Sequence, residues 1–240
     1  MSYLMVIPTY NELENIEALI RALLSLPLPL EIVVVDDCSP DGTGELVAAM
    51  ATRDPRIHVI HRPAKLGLGT AYVAGFRFGL AQGYERILTM DADFSHDPMY
   101  VPALIERSQE ADLVIGSRYV LGGQVLNSPW YRRLLSRGAN RLARTLLGLV
   151  ARDVTAGFRC YCPQVLRTTA PETIRAEGYA FLIEITYRAQ RAGFRIAEVP
   201  IRFKDRRYGR SKVSRREIAR ALWTVLRLSW DRVRVCKKAE

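Results

Sequence analysis

Arg86-Ile87-Leu88-Thr89-Met90-Asp91-Ala92-Asp93 decides how this chain is read. Its first five residues are short, mostly apolar and partly β-branched, the pattern of a buried strand. The strand runs into Asp-x-Asp, which sets two hard oxygen donors at its carboxyl end. In an open α/β sheet, ligands bind at that end. On an extended chain Asp91 and Asp93 are expected to point the same way. There they can share one Mg²⁺ or Mn²⁺ and leave coordination positions for a diphosphate. Alone, the pair also fits two solvated turn aspartates, so the surrounding residues decide.

Working outward, strand and helix patterns alternate. Apolar runs of strand length occupy residues 3–7, 32–35, 56–60 and 112–116. Helical spacing spans 12–24, through Leu13, Ile16, Leu19, Ile20, Leu23 and Leu24, and recurs over 44–51, 70–81 and 99–108. Asn11 with Glu14 three residues on predicts a capping box for the first helix. This βαβα order predicts a mainly parallel central sheet flanked by helices.

Polar motifs fall where the strands end. One is Pro8-Thr9-Tyr10-Asn11-Glu12; another is Val35-Asp36-Asp37-Cys38-Ser39-Pro40-Asp41-Gly42-Thr43. An acid at a strand end can accept hydrogen bonds from ribose hydroxyls or a base N–H. Asp36 and Asp37 could instead cap the following helix, a task that Asp41 or Thr43 would also serve. Gly67-Leu68-Gly69-Thr70-Ala71-Tyr72 invites a dinucleotide-loop reading and fails it. Tyr72 stands where the third glycine belongs, and the loop follows the third strand instead of the first. A tight turn into a helix is the better reading.

With 240 residues, 49% of them hydrophobic, the chain can bury a full core as one domain with room for an appendage. No uncharged stretch approaches the ~18 apolar residues of a spanning helix, and the first residues lack the basic region of a signal peptide. Cys38, Cys160, Cys162 and Cys236 show no metal-ligand spacing, which points to reduced thiols in the cytosol. Net charge is +10, unevenly spread: residues 1–115 hold 8 Lys/Arg against 16 Asp/Glu, and residues 116–240 hold 27 against 9. An acidic half with the metal-binding candidate is thus followed by a strongly basic one. Basic halves meet phosphates, in nucleic acid, lipid headgroups or a small substrate.

Residues 128–152 contain six arginines and no acid. With Trp130, Tyr131, Leu134, Leu135, Leu142, Leu146 and Leu147 they fit an amphipathic helix at a membrane surface, or a core helix with a basic outer face. Residues 182–191 read as a core helix and 196–203 as a strand. A last helix over 214–235 carries Trp223 and Trp230, suited to an interface. A nucleic-acid-binding module would also explain the basic half, but not Asp91 and Asp93, and its aromatics are not interleaved as a stacking platform. A non-catalytic lipid-surface adaptor would not need Asp93.

Five segments together resemble the family 2 inverting glycosyltransferases of the GT-A fold: Val6 to Glu12, Val35 to Thr43, Gly67 to Ala71, Asp91-Ala92-Asp93, and Gly116-Ser117-Arg118-Tyr119. Asp153-Val154-Thr155-Ala156-Gly157-Phe158-Arg159 and the run from Phe203 to Lys212 narrow the resemblance to dolichol-phosphate (polyprenol-phosphate) mannose synthases. The resemblance implies a nucleoside-diphosphate sugar donor, most often GDP-mannose, and a dolichyl or polyprenyl phosphate acceptor. UDP-glucose is the alternative donor. By position, Pro8, Tyr10, Glu12, Val35 and Asp37 would line the base and ribose pocket. Asp91, Ala92 and Asp93 would hold the metal and the sugar diphosphate. Ser95 stands where the family commonly has Gln as a third metal ligand. Arg206 and Lys212 match positions that clamp the diphosphate, and Arg118, Arg132 and Ser136 match positions that hold the acceptor phosphate.

These residue types suit the chemistry. A leaving diphosphate gains negative charge, which a metal with Arg or Lys stabilises. A phosphate acceptor is already anionic near neutral pH (second pKa about 6) and needs positioning more than deprotonation. A sugar hydroxyl would need a carboxylate base, and no carboxylate lies between Val120 and Arg152. The expected organisation is a catalytic domain over 1–212, with a nucleotide-binding half (1–116) and an acceptor half (117–212), then a basic amphipathic helix over 213–240. The expected location is cytoplasmic, peripheral at the inner membrane face, either directly or through a separate membrane-anchoring protein, with no nucleic-acid partner.

Overall fold

The computed structural model describes residues 2–204 and 215–236. Nine strands and eight α-helices follow in chain order: β1 (Tyr3–Thr9), α1 (Leu13–Leu24), β2 (Leu30–Asp36), α2 (Thr43–Ala51), β3 (Ile57–His61), α3 (Leu68–Gln82), β4 (Arg86–Thr89), α4 (Val101–Arg107), β5 (Leu113–Ser117), β6 (Gln124–Leu126), α5 (Trp130–Leu147), β7 (Arg159–Tyr161), α6 (Pro163–Thr169), α7 (Tyr179–Arg191), β8 (Ile196–Pro200), β9 (Arg202–Lys204) and α8 (Arg215–Cys236). Seven strands make one sheet in the order β3-β2-β1-β4-β7-β5-β8. Only β7 runs antiparallel to its neighbours, β4 and β5. The mainly parallel α/β architecture is as the alternating pattern predicts.

Side chains alternate across the sheet because successive Cβ atoms point to opposite faces. Leu4, Val6, Val33, Val35, Ile87, Leu113 and Ile115 pack under α3, α5, α6, α7 and α8. Met5, Ile7, Ile32, Val34, Leu88 and Val114 pack against α1, α2 and α4 on the other side. Both faces are covered, which explains why the strands read as apolar runs. α3 lies unusually close to the sheet: a Cβ at Gly75 would stand 2.2 Å from Val6 Cγ1. That approach positions the start of α3 beside the end of β4.

The chain runs from β1 outward to β2 and β3, then returns to add β4 on the opposite side of β1. Strand order therefore switches at the β1/β4 boundary, where doubly wound sheets bind ligands. The pairing of β1 with β4 stops at Val6 and Thr89. Val6 C=O faces β4, accepting from Met90 N at 3.2 Å. Residues two apart on a strand face the same neighbour, so Pro8 turns its missing N–H toward β4. The strands part there and a crevice opens.

Several local expectations are corrected. Asn11 and Glu14 form no capping box: Asn11 takes φ +56°, and the first helix has no side-chain cap of its own. Its first amides are satisfied from the segment after β2. Asn11 N donates to Ser39 Oγ, Glu12 N to Thr43 Oγ1 and Leu13 N to Asp41 Oδ2. The single strand expected over 196–203 divides at Ile201 into β8, in the main sheet, and β9, which pairs with β6. The C-terminal helix packs on α5 and α7 and sends Val225 and Leu228 into the core.

Candidate active site

The crevice between β1 and β4 gathers most of the polar motifs. β4 ends at Thr89, and the chain turns at Ala92 and Asp93, so the extended Asp-x-Asp expected from sequence is not formed. The two carboxylates consequently differ. Asp91 is half-exposed, its side chain 37% accessible, whereas Asp93 is buried and accepts from Ser95 N at 3.0 Å. Ser95 Oγ is buried without a hydrogen-bond partner.

Three neighbours shape the surroundings of Asp91. Tyr72, wholly buried on the first turns of α3, donates its hydroxyl to Asp91 Oδ1 at 3.4 Å. Burial and the nearby Asp91 hold the Tyr72 phenol well above its ordinary pKa, so it stays a proton donor. Gly157 passes on another side: a Cβ there would meet Tyr72 OH at 2.9 Å and Asp91 Oδ1 at 3.1 Å. His96 is buried between the Phe158 and Phe203 rings, with Nδ1 unpartnered and 3.9 Å from Asp91 Oδ2. Burial pulls the imidazole below its usual pKa although Asp91 and Asp93 pull it up.

This donor set fits a hard divalent cation. Two carboxylates and an unpartnered hydroxyl are oxygen ligands, and Mg²⁺ or Mn²⁺ takes the rest from phosphate and water. No cluster of three His, Cys, Asp or Glu able to hold a metal exists among the described residues. The arrangement therefore suits a cation that arrives with a diphosphate, not a closed structural site.

The base-side motifs are built more rigidly than expected. Asp36 accepts from Thr9 Oγ1, Ser39 N and Ser39 Oγ and is buried. Asp37 pairs with Arg62 at 2.6 Å and accepts from Leu66 N and Gly67 N. Neither caps the second helix; Asp41 accepts from Thr43 N and Oγ1 at its start. Asp37 thus ties β2 to the glycine turn, which leads directly into α3 as a turn into a helix should. Val35 is fully buried opposite Pro8, behind the crevice. Tyr10 is partly exposed with Lys65 Nζ 3.8 Å above its ring, which adds a cation that sequence reading did not single out. Glu12 accepts from the Asn15 side chain.

The expected acceptor residues are held in different ways. Arg118, just beyond β5, is gripped by wholly buried Asp153: Nε and Nη2 each lie 2.7 Å from a carboxylate oxygen. Arg118 N also donates to Asp153, and Nη2 to Thr155 Oγ1. Burial alone would lower the guanidinium's pKa, but Asp153 raises it. Of its donors, Nη1 has no hydrogen-bond partner among the described residues. Ser136 accepts from Tyr119 OH at 2.7 Å, and Asn140 ties α5 to Val154 and Thr155. Arg132 does not line the cleft beside Arg118; Arg137, Arg141, Arg144 and Arg152 do. Arg206 and Lys212 lie outside the described residues.

Tyr72, His96 and Asp153 carry much of this geometry and were not assigned from sequence. His96, one of three histidines in the chain, follows Asp93 by three residues, a signal that proximity to the acids could have raised. Arg159 in the same motif as Asp153 is fully buried, and carbonyls of Val154, Ala156 and Leu182 satisfy it. It orders the turn that presents Gly157.

Comparison with known proteins finds relatives over most of the chain. Residues 5–169 match the family described as Glycosyl transferase family 2. The chain is 44% identical over 227 residues to an undecaprenyl-phosphate mannosyltransferase of Micrococcus luteus, covering 95% of this chain and 93% of that protein. It is 46% identical over 224 residues to a polyprenol monophosphomannose synthase of Mycolicibacterium smegmatis, covering 92% and 84%. Among solved structures it resembles glucosyl-3-phosphoglycerate synthase from Mycobacterium tuberculosis in complex with Mn²⁺, UDP and glucosyl-3-phosphoglycerate. That match has a TM-score of 0.67 and 22% identity over 93% of this chain and 80% of the other, a likeness of fold.

Proposed function

The chain belongs to glycosyltransferase family 2, and on that premise we propose that it moves mannose from GDP-mannose to a dolichyl or polyprenyl phosphate, with inversion, at a membrane surface. It has the GT-A fold of that family. The observation that carries the reading is the pairing of half-exposed Asp91 with buried Asp93 at the strand-order switch. The names of the two relatives supply the sugar and the class of acceptor.

In this reading Asp91 and Asp93, with Ser95, hold Mg²⁺ or Mn²⁺ against the donor diphosphate. When bound, the cation would neutralise charge developing on the leaving group. Tyr72 fixes one oxygen of Asp91, and the absent side chain of Gly157 keeps the space beside it open. Pro8, Tyr10 and Glu12 edge the base and ribose pocket, with Val35 and Asp37 as its support; Arg206 and Lys212 clamp the diphosphate. Arg118, pre-set by Asp153, offers Nη1 to the acceptor phosphate, and Arg132 and Ser136 belong to the same acceptor side. Holding the phosphate oxygen in line with the sugar carbon replaces activation by a base. No helix among the described residues is long and apolar enough to cross a membrane, so the lipid acceptor would be met at the surface.

The test is incubation of purified protein with a short polyprenyl phosphate, Mg²⁺ or Mn²⁺, and radiolabelled GDP-mannose or, in parallel, UDP-glucose. Label should enter the lipid from GDP-mannose and depend on the metal. Label from UDP-glucose alone would replace the donor, and no label from either would overturn the reading.

A further inference from the structure

Trp130, Leu134, Arg137, Arg141 and Arg144 recur every three or four residues on α5 and so share one face of the helix. The apolar members come first: Trp130 is 70% and Leu134 63% exposed. The arginines follow, about one to three turns on, roughly 10 Å from Leu134 to Arg141 at 1.5 Å per residue. Those arginines wall a cleft of about 500 Å³, completed by Arg118, Tyr119, Val120, Gly123 and Arg152. No side chain of Arg137, Arg141, Arg144 or Arg152 is ion-paired with an acid among the described residues, although the Arg152 amide donates to Glu198 Oε2 at 2.8 Å. Asp153, behind the cleft, is already matched by Arg118. Four guanidinium groups facing one space repel each other until an anion enters.

We propose that the outer part of this cleft, beyond the Arg118 seat given to the acceptor phosphate, is a headgroup site for anionic membrane lipids. The inference rests on the membrane-surface part of the proposed function and names the lipid class and the residues that part leaves open. One acceptor phosphate needs one seat, and Arg118, which lines the cleft, provides it in that reading. The outer four cations exceed that need and match a surface that presents many phosphates. The order along the helix fits the same occupant, because Trp130 and Leu134 would enter the acyl boundary while the arginines stay level with headgroups. α8, packed alongside, also exposes Trp223 and Trp230. Guanidinium forks bind phosphate oxygens in pairs, which a lysine surface would not.

The test is sedimentation of the full chain with vesicles of phosphatidylcholine alone or with one-third phosphatidylglycerol. Wild type should bind the anionic vesicles, weakening as salt rises. Arg141→Gln with Arg144→Gln should lower that affinity about thirtyfold, the factor for two cations near an anionic surface, with an unchanged thermal midpoint. Arg21→Gln with Arg53→Gln, on another face, should leave it within about twofold. Equal loss in both pairs, or no loss in the cleft pair, overturns the site. So does a cleft pair that keeps vesicle binding yet loses transfer to detergent-dispersed polyprenyl phosphate, which would assign the cleft to the acceptor. Wild type that binds neither vesicle would instead refute the membrane reading on which the inference stands, while transfer in detergent would still test the catalytic one.

Discussion

Asp153 holds Arg118 at two points, with no part of the carboxylate side chain exposed and 12% of the arginine exposed. Thr155 and the Arg118 amide complete the lock. A cation buried this deeply is stable only while its partner stays. Asp153→Ala should therefore destabilise the fold by about 3–5 kcal/mol, because it strands a buried charge. Urea unfolding checks this; a loss under about 1 kcal/mol would mean the pair is solvated and weak.

The same pair sets a pH window. Burial pushes the Asp153 carboxyl up, but Arg118 outweighs it and the pKa lies below the ordinary value. A depressed folded pKa gives stability that is fully present above the unfolded value, about 3.9, and is lost as pH falls through the folded one. Wild type should thus exceed Asp153→Asn by a constant margin at pH 5–8, and the margin should shrink below about pH 4. A margin that grows on acidification would contradict the ion pair.

At the metal-binding candidate, Asp93→Ala should lower turnover on the order of a thousandfold or more, as loss of a Lewis-acid site does. It should also remove the Mn²⁺ dependence of nucleotide binding measured by calorimetry. Asp93 also accepts from Ser95 N, so a modest fall in thermal midpoint is expected as well. Wild-type activity, or full activity in excess EDTA, would exclude the assignment.

Tyr72→Phe keeps the ring in the core and deletes only the hydroxyl that meets Asp91. Partners that orient a metal ligand are worth about 10–100-fold in affinity, so Mn²⁺ affinity in the presence of nucleotide diphosphate should fall by that factor. Gly157→Ala should do at least as much by crowding Asp91 Oδ1. Unchanged affinity in both would make the contact structural.

Asp91 and Asp93 were legible in the sequence because a strand pattern ends on them, and both sheet faces were legible because apolar runs of strand length alternate with helical spacing. What escaped depends on distance along the chain. Tyr72 lies 19 residues before Asp91, and its sequence context advertised only a missing glycine. The first helix is capped from residues 28 to 31 positions downstream, where local capping rules cannot look. β7 has three residues, too few to show a period, and its antiparallel place between β4 and β5 follows from no local signal. On α5 the run of arginines was plain, but its division was not. Arg132 is five residues from Arg137, about 140° round the helix, so only the folded chain shows which arginines share a cleft.

Arg118→Lys tests the acceptor side without removing the charge. Lysine can still face Asp153, though with one contact in place of two, and it cannot also project a second donor pair in the position of Nη1. The proposed role is to hold the acceptor phosphate, so KM for polyprenyl phosphate should rise about tenfold or more. Donor affinity, read by calorimetry with nucleotide diphosphate and Mn²⁺, should stay within about twofold, since the Asp91 centre keeps its own partners. Thermal midpoints separate this from a loss of fold. If donor affinity instead falls with the acceptor term, Arg118 serves the nucleotide, and the acceptor phosphate must be sought at Arg132 and Ser136.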